Sequence, residues 1–170
     1  MDASYGPLLP SIQAYYSVSY LIVSLIFLSP LIGFVLAAVL GAPVHTHLGQ
    51  RGVAVLIPLA HIISFLLLAL HPPFYVLIIS FALNGWSIGL ADGAWSSWLA
   101  SLENSTQLMG ILHGVYGFGA FVAPIISTSM VVKARLPWYS YYYMMVGHLL
   151  LLSKGGEEKT QRIGSDIVFF

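Results

Sequence analysis

Long apolar runs broken by short polar interruptions dominate the chain, and the runs do not alternate with the period of two that a half-buried strand needs. Runs near 20 residues suit helices that cross a hydrocarbon core of about 30 Å. Lipid offers no water to exposed backbone N–H and C=O groups, so spanning segments are helices or closed barrels, and continuous runs favour helices. The interruptions predict six helical segments, at about 4–16, 18–40, 53–70, 74–101, 107–132 and 137–152. The first, within "DASYGPLLPSIQAYY", carries two prolines and a glycine and reads as the last part of a span. The second, "YLIVSLIFLSPLIGFVLAAVL", has full length, with Pro30 as a kink. The polar stretch "GAPVHTHLGQRG" then predicts a loop, "HPPF" a tight turn, and "ENSTQ" and "KARLPW" further connections. The sixth run reaches only the low end of the spanning range.

Beyond residue 152 the pattern changes. Lys154, Glu157, Glu158, Lys159, Arg162 and Asp166 make up half of all the Asp, Glu, Lys and Arg in the chain. The expectation is a membrane domain over 1–152 and an irregular polar tail over 153–170, as from a chain cut or spliced short inside its sixth helix; a short cytosolic tail is the alternative. By the bias of basic residues in short loops, Arg51 lies on the side of the tail and Lys133 and Arg135 on the other.

Composition narrows the class. Hydrophobic residues make up 58% and charged residues 7%, against about 25% charged in soluble domains. The chain therefore reads as an integral, multi-pass membrane protein in contact with the lipid bilayer; composition does not choose between plasma and vacuolar membranes. Asp2 stands where a secretory signal would be basic. With no cysteine, disulfides and thiolate metal sites are excluded. His45 and His47 lack a third ligand, so no metal site is expected, and nothing calls for a cofactor. Basic residues are too few and scattered for nucleic acid. No nucleophile arrangement, paired catalytic carboxylates or phosphate loop appears, so the chain does not read as an enzyme.

One stretch departs from plain apolar sequence: "GWSIGLADGAWSSW", Gly85 to Trp98. At about 100° per residue, Gly85, Gly89 and Gly93 form one seam, with Asp92 and Ser96 on the same sector. Glycines spaced by four suit close helix packing, which turns Asp92 toward protein or a cavity and leaves Trp95 and Trp98 as interfacial anchors. On the next helix Gly110, Gly114, Gly117 and Pro124 lie within about 100° of His113. Asp92 and His113 stand almost symmetrically about the turn at Leu102 and Glu103, so a hairpin sets them at one membrane depth. A carboxylate–imidazole pair is one reading; a packing helix whose acid reaches water is the other. His61 reads as a hydrogen-bonded core histidine. Tyr141, Tyr142 and Tyr143 beside Trp138 read as an aromatic belt at an interface.

The stretches "LLPSIQAYYSVSY", "VSLIFLSPLIGFVLAA", "GQRGVAVL", "LHPPF" and "LHGVYGFGAFVAPIIST" together resemble the N-terminal half of a major facilitator superfamily transporter, and within it the fungal transporters of the bypass-of-stop-codon type. The resemblance spans Gly6 to about Gly147. It implies an all-α membrane fold, here a partial six-helix N-terminal bundle of the kind that is paired in a full transporter. The superfamily's loop motif GxxxDRxGRR falls on Ala42, Thr46, His47, Gly49, Gln50 and Arg51, without its acid. Phe81 and Asn84 stand in place of an Arg and a Gln before Gly85. The fifth-helix motif falls on Gly110, Gly119, Ala123, Pro124, Ser127 and Thr128, which implies helix packing by Gly110, Gly119 and Pro124. The resemblance further implies a cavity with Asn84 and Tyr116 as solute contacts. It also offers a second partner for Asp92, in Arg51 or His47 of the loop, as a gate. The function it implies is that of a fragment of a secondary-active transporter of small solutes, working by alternating access and inactive without a second transporter half. The alternative is a non-transporting protein that assembles with another membrane chain through its glycine seams.

Overall fold

The computed structural model describes residues 3–151. Among them the order is α1 (Tyr5–Tyr16), α2 (Tyr20–Val23), α3 (Leu25–Ala69), α4 (Phe74–Ala100), α5 (Ser105–Thr128), a π-helical turn (Ser129–Lys133) and a last helix over 140–151. No strand occurs among the described residues. The fold is an all-α membrane fold. Three helical stretches are long and apolar enough to cross a bilayer: Tyr20–Ala69, Phe74–Ala100 and Ser105–Lys133. α1, at about 18 Å, is too short to do so. The tail expected over 153–170 lies outside the described residues.

The second and third expected spans are not separated by a loop. Residues 41–48 and 50–52, expected as a polar loop, are helical, so the second and third expected spans extend until they meet at Gly49 as two helices within α3, 45 residues long in all. Its polar residues are accommodated on the helix itself, as where Thr46 Oγ1 donates to the Ala42 carbonyl at 2.9 Å. The helical path is broken at Gly49, with φ 65° and ψ 178°. That backbone conformation is essentially closed to residues with a Cβ, so one glycine does the work expected of a whole loop. The two arms run in opposite directions along α4. Pro30 and Ala37 meet Gly85 and Gly89 in the same order, whereas Ile57 and Ser64 meet Ser87 and Ser80 in reverse. Gly49→Ala is expected to cost about 1–3 kcal/mol from backbone strain alone. A Cβ there would meet nothing within 4 Å, so an SDS titration showing no loss of stability would mean that the reversal does not depend on glycine.

The main core sits at the α3–α4 turn. Tyr5, Leu8 and Ile12 recur on one face of α1 and pack with Ile26, Leu68 and Phe81. Trp138, Tyr141 and Tyr142 join them, each no more than 2% exposed. The aromatic belt expected there is therefore largely core; of the four residues only Tyr143 is exposed. The reason is tertiary: α1 and the α3–α4 turn close over the ring faces, with Trp138 edge-on to Tyr15 at 5.9 Å and Phe81 edge-on to Tyr142 at 6.2 Å. Tyr16 completes the closure by donating its hydroxyl hydrogen to the Pro72 carbonyl.

α5 stands apart from this core. Of its residues only Ser127 is buried. Large apolar side chains such as Phe118 and Phe121 are about 70% exposed.

Candidate functional site

Small residues let α4 sit directly on the first arm of α3. A Cβ added to Gly85 would overlap the Pro30 backbone, and one added to Gly33 would overlap the Ala82 carbonyl. At Gly89 the added atom would come 2.6 Å from Ala37 Cβ. Glycine at these three positions is what permits backbone-to-backbone approach. On the opposite side, hydroxyls tie α4 to the second arm. Ser64 Oγ donates to the Ser80 carbonyl at 2.7 Å and Ser87 Oγ to the Ile57 carbonyl at 2.8 Å. His61 Nδ1 lies within hydrogen-bond reach of both Ser87 Oγ and, at 3.2 Å, the Ile57 carbonyl, its role set by the ring tautomer. His61 is thus a hydrogen-bonded, half-buried histidine between helices.

With α4 clamped at close range, its C-terminal half opens onto a cavity of about 570 Å³ shared with α3 and α5. Leu31, Phe34 and His61 line it from α3, Ile88, Asp92 and Trp95 from α4, and Leu112, His113 and Tyr116 from α5. Two further cavities adjoin it. One of 510 Å³ shares Asp92 and Phe34, and one of 450 Å³ shares Trp95. Asp92 and Trp95 are therefore each shared between neighbouring hollows around the C-terminal half of α4.

The sequence candidates distribute unevenly over this site. Asp92, His113 and Tyr116 come together on one cavity. Asp92 makes no hydrogen bond or ion pair among the described residues, whether with His113, Arg51 or His47. Arg51 and His47 are exposed beside the Gly49 reversal and line none of the three cavities. Asn84 is fully buried and lines none of these three cavities; its Nδ2 donates to Tyr5 Oη at 3.0 Å and so joins α4 to α1, while its Oδ1 has no hydrogen-bond partner among the described residues. Of the seam residues, Gly85 and Gly89 are packed, whereas a Cβ at Gly93, Gly110, Gly114, Gly117 or Gly119 would meet nothing within 4 Å. Pro124 lies half-buried in α5, with its carbonyl accepting from Ser127 Oγ at 3.1 Å. No group of three or more His, Cys, Asp or Glu among the described residues is placed to hold a metal ion.

Three contributors escape a reading by motif. Gly33 is the counterpart of Gly85, and its signal lay in the small residues Gly33, Ala37 and Gly41, spaced by four. Ser87 and Phe34 carry no motif; only the fold brings them to His61 and Asp92.

The Major Facilitator Superfamily model matches residues 1–153. The chain belongs to that superfamily. It is also similar to bypass of stop codon protein 6 of Saccharomyces cerevisiae, with 35% identity over 125 residues, or 72% of this chain and 25% of that protein. The chain thus spans about a quarter of the length of that relative. No solved structure matches it significantly. Within the superfamily match fall both arms of α3 with the Gly49 reversal, the α3–α4 clamp and the whole cavity around Asp92.

Proposed function

We propose that these residues build part of one helical half of a secondary-active transporter of small solutes, a multi-pass membrane protein that works by alternating access against a second transporter half. The reading is carried by the superfamily match over 1–153, which covers the entire bundle and its cavity. In alternating access, two rigid bundles rock about a site between them. The clamp of α4 on α3 suits one such rigid body, because glycine contacts and buried hydroxyl bonds leave little room for sliding. α5, with its glycine face open, is the element left for another bundle to meet. Tyr116, His113 and Asp92 are the cavity contacts of this reading, and Asn84 supports them by holding α1 to α4. Arg51 and His47, beside the reversal, are the partners that Asp92 would acquire in a closed gate. Catalysis is no part of the reading, since superfamily members are transporters.

The open face of α5 also suits a second reading, a non-transporting protein that assembles with another membrane chain through Gly110, Gly114 and Gly117. Water in the cavity separates the two. The chain has no cysteine, so single cysteines can be placed without background. In lipid nanodiscs, Leu31→Cys, Ile88→Cys and Leu112→Cys are expected to react with a membrane-impermeant maleimide at least about fivefold faster than Ile79→Cys or Phe118→Cys, which are exposed outside the cavity. Equal, slow labelling at all five would favour the assembly reading.

A further inference from the structure

We infer that the cavity between α3, α4 and α5 is a binding site for a free, protonated amine with an apolar or aromatic body. This deepens the transporter reading and rests on it for the term substrate, although binding itself needs no transport. The volume, about 570 Å³, lies in the range that accepts a compact organic ligand. Leu31, Phe34, Ile88 and Leu112 give most of the wall an apolar character. Against that wall stands the Asp92 carboxylate, and among the described residues no Lys or Arg lines this cavity or the two that adjoin it.

Asp92 is exposed to the cavity and not buried in the wall, and a carboxylate beside an apolar wall, with no ion-pair partner among the described residues, favours a cation over an anion or a neutral solute. Trp95 and Tyr116 line the same cavity, and the faces of such rings attract a desolvated ammonium. His113 lines the same cavity, and an imidazole nitrogen can accept a second N–H of the ligand. His61 lines the cavity with its Nδ1 engaged by Ser87 and the Ile57 carbonyl. A sugar or another polyol fits poorly, because a mostly apolar wall would leave its hydroxyls unpaired.

The test uses the 170-residue chain in phosphatidylglycerol nanodiscs, with tritiated 4-phenylbutylamine as probe and scintillation proximity as readout. Saturable binding is expected, displaced by unlabelled amine at least about tenfold more effectively than by 4-phenylbutanol, which has the same carbon frame without the charge. Asp92→Asn is expected to weaken amine binding at least about tenfold and to remove the preference over the alcohol, while Asp92→Glu retains the preference. Equal displacement by amine and alcohol on the unaltered chain overturns the assignment without recourse to any variant, as does non-saturable partition into the bilayer. Loss of amine binding when phosphatidylethanolamine is added to the nanodiscs would assign the cavity to a lipid headgroup and also overturn it. None of these results bears on whether a completed transporter carries a solute, so the two claims fail separately.

Discussion

Gly85→Ala and Gly33→Ala are expected to be the most damaging single-methyl changes in the membrane domain. In each case the new Cβ lands on backbone, at Pro30 for Gly85 and at the Ala82 carbonyl for Gly33. Backbone cannot rotate away as a side-chain end can, so α4 and the first arm of α3 must separate. Separation would also disturb the second arm, which is held to the other side of α4 through Ser64 and Ser87. Overpacking of a fitted core costs about 1–3 kcal/mol, occasionally more, and these two changes belong at or beyond the upper end. Gly89→Ala should fall in the middle, since its contact is the methyl of Ala37 at 2.6 Å. Alanine at Gly110, Gly114 or Gly117 meets open space, and replacing glycine within a helix gains up to about 1 kcal/mol. SDS titration of the chain in mixed micelles measures the series. A uniform loss across both helices would mean that the α3–α4 clamp is not the centre of stability.

The same contrast shows what could be read from sequence. Glycines spaced by four on α4 announce a close-packed face from residue spacing alone, but they do not say what packs there. Gly33 lies in a run apolar almost all round, where Pro30 draws attention as a kink and the small residues merge into the grease. The stretch 41–52 looks like a loop because it is polar, yet polarity reports solvent and not backbone path. Only the backbone angles at Gly49 reveal that a single residue makes the reversal. Trp138 to Tyr143 has one composition for two fates, interfacial belt or core, and the covering helix α1 decides between them. Asp92 and His113 were placeable because a 1.5 Å rise and a hairpin fix depth; whether they touch depends on helix separation, which spacing does not encode. Asn84 was readable as polar within a span, but its partner Tyr5 lies 79 residues away along the chain.

The largest functional effect is expected from completing the bundle. Alternating access requires two halves that rock about a common site, and one bundle with α5 almost wholly uncovered has nothing to rock against. Proteoliposomes containing the 170-residue chain alone are therefore expected to show solute uptake no faster than empty vesicles. A chimera in which the chain's matched residues replace the corresponding 125-residue segment of bypass of stop codon protein 6 should instead show saturable uptake. Gly85→Ala in that chimera is expected to abolish it, by loosening the rigid body that must move as one.

The deciding measurement is uptake of a radiolabelled panel of sugars, carboxylates, amino acids and organic amines by three preparations side by side: the chain alone, the chimera and the intact yeast relative. The transporter reading expects the chimera to carry at least one solute that the intact relative carries, saturably, and the chain alone to carry none. Saturable uptake by the chain alone would contradict it, and so would a folded, membrane-inserted chimera that carries nothing while the intact relative transports.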